Sequence, residues 1–160
     1  MLPRFVRERA GQWERAAVAG QVRVAIAFVD LSGFTSLAEA MGDEMAAGVL
    51  ERFSQLVHEA VSHWDGRVVK QIGDAFMLVF AETRSAVACA VEIELRTARE
   101  AQFPAVRSGM HCGHVLYREG DYLGTSVNVA AEAERHQVLV TGAVRVEALR
   151  RCASRVPSRG

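Results

Sequence analysis

The sequence predicts an α+β fold with a mostly antiparallel central sheet, and two observations lead to that class. The chain has 160 residues, of which half are hydrophobic and 24% are charged, as in one ordinary globular domain with its own core. Strand and helix patterns then follow in the order β-α-β-β-α-β, with an α-β addition. That order fits a ferredoxin-like sandwich with its helices on one face of the sheet.

The first predicted strand covers residues 22–29 and is apolar on both faces, which is typical of a central strand. Asp30 ends this strand on the face of Val22 and Phe28, and Ser32-Gly33 breaks the pattern. Residues 34–64 carry an apolar stripe at helical spacing that runs from Met45 to Trp64, so they predict one long helix.

The next segment, residues 67–80, predicts a β-hairpin around the dipeptide Gly73-Asp74, which suits a two-residue turn with glycine first. A helix over 83–102 follows, with Val87, Val91 and Leu95 directed inward. The remaining predicted elements are a strand over 106–117, a helix over 125–135, a short strand over 137–141 and a last helix over 143–152.

Composition and the positions of turn-forming residues predict three parts of the chain. These are a helical or linker segment over residues 1–21, one domain over 22–152 and a flexible tail over 153–160. The 19 basic and 19 acidic residues balance, so no excess of positive charge indicates a nucleic-acid partner. No apolar run reaches the length of a membrane span, and the N-terminus lacks the apolar core of a signal peptide. Three cysteines without zinc spacing favour a reducing, cytoplasmic setting.

Two aspartates are the first candidate site residues. Asp30 ends the first strand and Asp74 lies in the hairpin turn, and neighbouring strands would bring both carboxylates to one edge of the sheet. Carboxylate and carbonyl oxygens suit Mg²⁺ or Mn²⁺, and the turn into the next helix offers free N–H groups to a polyphosphate. Taken singly, each aspartate is equally well explained as a helix cap or a turn former.

Three motifs together resemble the catalytic domain of class III nucleotide cyclases: FVDLSGFT, KQIGDAF and GDYLGTSVNVAA. Their order, their spacing and their strand-helix context agree over residues 22–142. The resemblance implies that Asp30 and Asp74 bind two metal ions, Mg²⁺ or Mn²⁺, with help from the Leu31 carbonyl. It also implies that a run of backbone amides faces the substrate phosphates, namely those of Ser32, Gly33, Phe34 and Thr35.

The resemblance further implies that Lys70 and Asp121 read the purine and that Asn128 holds the ribose and orients the α-phosphate. Lys70 is the only lysine among 19 basic residues. A lysine donor and a carboxylate acceptor match adenine, which accepts at N1 and donates at its 6-amino group, whereas guanine presents the reverse. The alternative for Lys70 is a strand lysine paired with a surface glutamate.

The chain departs from the family at two places. Relatives usually carry an arginine four residues after the asparagine, and Glu132 stands there. Arg135, one turn further along the predicted helix, is the candidate replacement, and a solvated surface arginine is the alternative. Relatives also use a later lysine for the terminal phosphates, but no lysine follows Lys70, so that role stays unassigned.

The resulting prediction is an adenylate cyclase that converts ATP to cyclic AMP and pyrophosphate at sites shared across a head-to-tail homodimer. One chain would supply Asp30 and Asp74, and the other would supply Lys70, Asp121 and Asn128. The alternatives are a weak or inactive homologue that binds nucleotide or only dimerises, and a guanylate cyclase. Another metal-dependent nucleotidyl enzyme on a ferredoxin-like fold is disfavoured by the purine-reading residues.

Overall fold

A computed structural model describes residues 21–135, 139 and 140, and these residues form one sheet covered by helices. The strands lie in the order β2-β3-β1-β4-β5, and β6 pairs with β4 in parallel. All the other strand pairs are antiparallel, which confirms the predicted sheet. The strand bounds are β1 Gln21–Leu31, β2 Arg67–Ile72, β3 Ala75–Phe80, β4 Val106–Arg118, β5 Asp121–Leu123 and β6 Leu139–Val140.

The described helices are α1 Phe34–Met41, α2 Asp43–His63, α3 Thr83–Thr97 and α4 Thr125–Arg135. The single helix predicted over 34–64 is therefore two helices. Gly42 separates them with φ 85° and ψ 161°, a conformation outside the helical region that glycine adopts without steric cost. The helix predicted over 83–102 ends earlier, at Thr97.

Two apolar clusters lie on opposite faces of the sheet because alternate residues of β1 point to opposite sides. The first cluster contains Ala25, Ala27 and Val29 of β1 and is covered by α2 and α3. The second cluster joins the other face of β1 to residues of β3, β4, β5 and α4. Its buried members are Val22, Val24, Ile26, Met77, Val79, Val115, Tyr122 and Ala130. The expectation that every helix lies on one face is therefore wrong, since α4 packs on the second face.

The side of helix α3 that packs on the sheet is not the side that was predicted to do so. Val91 and Leu95 are 50% and 58% exposed, whereas Cys89 and Ile93 are completely buried. The helix carries two stripes of apolar residues at helical spacing, and spacing alone does not rank them. Met45 of α2, also predicted to face inward, is 56% exposed.

Several predicted segments lie outside the described residues: the N-terminal segment up to residue 20, the helix over 143–152 and the tail. Of the helices in the described part of the chain, none combines the length and apolar character that a membrane span requires.

Candidate active site

Two strand ends bring the predicted metal-binding aspartates together. Strands β1 and β3 are neighbours, with Val29 opposite Phe76, so the β2-β3 turn lies beside the end of β1. The turn is the predicted two-residue one, and Gly73 opens it with φ 60°. The Leu31 N–H donates to Asp74 Oδ2 at 3.2 Å, which fixes this carboxylate next to the residue that follows Asp30.

Arg107 holds the carboxylate of Asp30 with both prongs of its guanidinium. Its Nε lies 2.9 Å from Oδ1 and its Nη2 lies 2.5 Å from Oδ2. The β1-β4 register places the two residues directly opposite each other, and the Asp30 side chain is only 13% exposed. A paired fork of this kind is the strongest common way to neutralise a carboxylate that is mostly removed from water.

Arg107 is a residue that the sequence does not single out. It is one of 18 arginines in a background where arginine replaces lysine almost everywhere. The signal that could have found it is the strand register, since a residue near the start of β4 must face the end of an antiparallel β1. That register depends on pairing over long separations, which local patterns do not reveal.

The donor set of this edge fits a divalent metal ion that completes its coordination with substrate and water. Among the described residues, no group of three or more His, Cys, Asp or Glu side chains is close enough to hold a metal ion by itself. Mg²⁺ commonly binds through one or two carboxylates and substrate phosphates, which matches Asp30 and Asp74. The guanidinium of Arg107 and a metal ion would compete for the same oxygens of Asp30.

The turn after β1 offers part of the expected phosphate-binding loop. Gly33 has φ 71° and caps α1, whose first N–H groups have no partner within the helix. Phe34 packs against the first cluster and Thr35 is exposed. The expectation for Ser32 is not met, because its N–H donates to the Ala105 carbonyl at 2.7 Å and so joins the end of β1 to the segment before β4.

The two predicted purine-reading residues touch each other within this one chain. Lys70 Nζ donates to Asp121 Oδ2 at 2.7 Å, and each side chain is 40% exposed. The hydrogen bond from Lys70 lowers the pKa of Asp121, burial opposes that effect, and the Tyr122 N–H adds to the lowering. Asp121 is therefore an ionised acceptor at neutral pH, already aligned with a lysine donor.

A β-bulge in strand β2 places Lys70 on the second face of the sheet. Val68 pairs with Leu78 and Lys70 pairs with Met77, so Val69 is an extra residue in the ladder. Val69 packs against the second cluster, to which Met77 also belongs. Bulges of this kind re-aim side chains, and this one sets Lys70 on the face where Asp121 lies.

Helix α4 carries Asn128, which is exposed, and Arg135 is its last residue. The helix begins very close to strand β4. A Cβ at Gly113 would lie 2.2 Å from Ser126 Oγ, and that hydroxyl donates to the His114 carbonyl at 3.2 Å. Glycine at 113 therefore allows the first turn of α4 to rest directly on the sheet. Among the described residues, no hydrogen bond joins Asn128 to Asp30 or Asp74.

The chain belongs to the family of adenylate and guanylate cyclase catalytic domains, whose model matches residues 18–160. An adenylate cyclase of Streptomyces coelicolor is 32% identical over 156 residues, which cover 86% of this chain and 41% of that protein. A pH-sensitive adenylate cyclase of Mycobacterium tuberculosis is 33% identical over 147 residues, covering 86% of this chain and 36% of that protein.

Solved cyclase domains share the fold. A bacterial light-regulated adenylyl cyclase superposes with a TM-score of 0.65 at 25% identity, over 72% of this chain and 70% of that chain. A rhodopsin-guanylyl cyclase core with converted specificity, in complex with ATPαS, superposes with a TM-score of 0.72 at 20% identity, over 78% of this chain and 80% of that chain. At these identities the structures support the fold, and they do not distinguish an adenylate from a guanylate cyclase.

Proposed function

We propose that this domain is the catalytic unit of an adenylate cyclase, which converts ATP to 3′,5′-cyclic AMP and pyrophosphate. The contact between Lys70 and Asp121 carries the proposal. This contact supports a purine site that offers one cationic donor and one anionic acceptor side by side. The support is independent of the names of the relatives. The chain spans 41% and 36% of the lengths of the two adenylate cyclases named above, so the activity of a whole protein is part of the proposal.

The pair suits adenine better than guanine. Adenine N1 accepts from a lysine N–H, and the adenine 6-amino group donates to a carboxylate. Guanine would place its N1–H against the lysine and its O6 against the carboxylate, leaving partly buried groups of like character facing each other. A guanylate cyclase, the alternative suggested by several structural relatives, lacks this support from the site.

The metal-binding edge suits the triphosphate. Asp30 and Asp74 would hold Mg²⁺ or Mn²⁺, the kind of ion that cyclases of this family generally use. Bound there, the ions would lower the pKa of the ribose 3′-hydroxyl and balance charge on the leaving pyrophosphate. Arg107 lies 2.9 Å from Asp30, where a metal ion would compete with it for the carboxylate. A guanidinium displaced from Asp30 would offer its paired donors to phosphate oxygens.

In the proposed reaction, the 3′-oxygen forms a bond to the α-phosphorus, and the bond from that phosphorus to the bridging oxygen breaks. Pyrophosphate leaves with the electron pair, and the hydroxyl proton is released to solvent. The remaining residues act by positioning. Asn128 would hold the ribose in line for this attack, and Arg135 is proposed to balance charge on the α-phosphate. The amides of Gly33, Phe34 and Thr35 are proposed to face the phosphates.

A homodimer is part of the proposal. Among the described residues, Lys70 and Asp121 bind each other and no hydrogen bond or ion pair joins them or Asn128 to Asp30 or Asp74, which supports two separate half-sites. Two copies placed head to tail would join the metal half of each chain to the purine half of the other.

A second candidate function is a nucleotide-binding homologue without turnover. The observation that favours it is Glu132, which stands where relatives have the transition-state arginine and brings the wrong charge for a phosphate. Such a domain would bind ATP through Lys70 and Asp121 and form no cyclic AMP.

The test is product formation by the purified chain with Mn²⁺ and either ATP or GTP. We expect cyclic AMP to exceed cyclic GMP clearly, and we expect Asp30→Ala to abolish the product because an essential metal ligand is lost. Glu51→Ala, which removes an exposed carboxylate of α2, is the matched control and should keep full activity. ATP binding without product would favour the second candidate.

A further inference from the structure

The three residues of strand β5 differ sharply in burial. Asp121 is partly buried, Leu123 is 48% exposed, and Tyr122 is only 2% exposed. Tyr122 is among the largest fully buried side chains of the described part of the chain. Its ring belongs to the second apolar cluster and lies 5.0 Å from the ring of Tyr117 on the paired strand. Of the three side chains in β5, only that of Tyr122 anchors the strand in the core.

The backbone of Tyr122 also holds Asp121. Glu119 and Gly120 form a two-residue turn with φ 49° and 89°, so Arg118 and Asp121 are the pair that closes the hairpin. Alternation along an antiparallel pair makes Tyr117 and Tyr122 the next, non-hydrogen-bonded pair, whose N–H groups point away from each other. The Tyr122 N–H donates to Asp121 Oδ1 at 2.8 Å.

The other oxygen of Asp121 accepts from Lys70, which lies at the far edge of the sheet. Strand β2 is first and β5 is last in the order β2-β3-β1-β4-β5. A contact of 2.7 Å between these edges requires β5 to fold across the second face. The Tyr122 ring is buried in that face, against a cluster that includes Met77 and Val79 of β3, so it supports β5 in the folded-over position.

We propose that Tyr122 is a positioning residue for base selection: its buried ring holds β5 across the sheet and its N–H orients Asp121 toward the purine. The inference rests on the proposed function, because it assumes that Asp121 reads the base. It deepens that function by making discrimination depend on a buried side chain behind the purine-reading pair.

The ring and the hydroxyl of Tyr122 can be tested separately. The hydroxyl oxygen is buried and has no hydrogen-bond partner in the described part of the chain. Burial raises the pKa of Tyr122 to about 12, so the phenol is un-ionised. An unpartnered buried hydroxyl adds nothing to anchoring, so Tyr122→Phe keeps the anchor, whereas Tyr122→Leu replaces the flat ring with a shorter branched side chain that does not fill the same space.

The first measurement is competitive binding of ATP and inosine triphosphate, which carries an oxygen in place of the 6-amino group and a proton on N1. We expect Tyr122→Phe to keep the wild-type preference for ATP and Tyr122→Leu to lose about tenfold of it. Val22→Ala is the control, since it removes buried volume from the same cluster on β1, a strand that does not pair with β5. It should lower stability and leave the preference unchanged.

The second measurement needs no nucleotide: carboxyl NMR titration of Asp121 in the same variants. The pKa of Asp121 should stay low in the wild type, in Tyr122→Phe and in Val22→Ala, and should rise in Tyr122→Leu because both donors lose their alignment. A folded Tyr122→Leu that keeps the low pKa overturns the inference, and so does an equal loss of preference in Val22→Ala. A wild type that does not prefer ATP refutes the adenine-reading part of the proposed function, while the titration still decides the role of Tyr122.

Discussion

At the scale of single residues, the most informative contact joins Asp30 to Arg107. The carboxylate is 13% exposed and both of its oxygens are engaged by one guanidinium. Removing the arginine leaves a mostly buried carboxylate without these two donors, which costs more free energy than the net contribution of the hydrogen bonds themselves.

We expect Arg107→Gln to lower the free energy of unfolding by about 1–3 kcal/mol in the absence of metal. Mn²⁺ should restore part of this loss, because a cation at Asp30 then replaces the missing guanidinium. Arg107→Lys keeps the charge but not the fork, so its loss should be smaller. Thermal unfolding with and without Mn²⁺ measures both effects.

The matched control for this experiment is Arg84→Gln, which removes an exposed arginine from α3. Its stability should stay close to that of the wild type at every Mn²⁺ concentration. Equal stability of Arg107→Gln and Arg84→Gln without metal would contradict the importance assigned to the ion pair.

Residue-level prediction from the sequence succeeded where a short motif and a neighbouring strand were enough. The turn at Gly73-Asp74 and the approach of Asp74 to the end of β1 follow from a dipeptide and a strand order. Arg107 could not be found this way, because its importance comes from its position opposite Asp30, a residue 77 positions earlier in the chain. The engagement of the Ser32 amide by Ala105 depends on the same distant pairing.

At the scale of elements, the docking of α4 on β4 decides where Asn128 lies. The helix rests on the sheet at Gly113, where a Cβ would come within 2.2 Å of Ser126 Oγ and 3.2 Å of Ser126 Cβ. A carbon atom added at position 113 therefore requires the Ser126 hydroxyl to rotate away and Ser126 Cβ, at the start of α4, to give way slightly.

We expect Gly113→Ala to lower the free energy of unfolding by about 1–3 kcal/mol and to reduce cyclic AMP formation by displacing Asn128. Adding Ser126→Gly removes both clashing atoms, so the double variant should recover much of the loss. Ser126→Gly alone serves as the control for the glycine introduced into the helix. Denaturant unfolding and product assays test this, and a fully stable Gly113→Ala would show that α4 is less tightly seated.

The elements also show where hydrophobic patterns are ambiguous. The bounds of α4 and the existence of β1, β2, β3, β4 and β6 agree with the patterns, whereas the three-residue strand β5 is too short to carry a pattern and was not predicted. Helix α3 carries two apolar stripes, and its buried side is the stripe with Cys89 and Ile93 instead of the one with Val91 and Leu95. Only the packed sheet decides between two such stripes.

At the scale of the whole molecule, the sheet separates two tasks. Its first face packs against α2 and α3 and builds the main core. Its second face carries α4, β5 and the contact between Lys70 and Asp121. The sequence could not predict this division, because the side on which α4 lies depends on how β5 folds across the sheet.

Mixing two inactive variants tests the shared sites of the proposed homodimer. Lys70→Ala removes a proposed purine contact and Asp30→Ala a proposed metal ligand, so each variant alone should lose cyclic AMP formation. In a mixed dimer, one of the two sites would draw both intact halves from opposite chains. We expect the mixture to regain up to about a quarter of the wild-type activity, since half of the dimers are mixed and each has one good site.

The control mixes Asp30→Ala with Asp74→Ala. Both changes fall in the metal-binding half, so every site of every dimer stays defective and no activity should return. Recovery in this control, or its absence in the first mixture, would contradict sites divided between chains in the proposed way.

The ion pair between Asp30 and Arg107 also has a consequence for the order of folding. The partners are 77 residues apart, and the β1-β4 ladder that joins them closes a loop containing both α2 and α3. Loops of this length close slowly because the chain loses entropy before any contact compensates for it. A nascent chain must therefore extend into β4 before Asp30 meets its counter-ion. The ion-paired end of β1 is in this sense a late product of folding, and not a motif that a short fragment could form by itself.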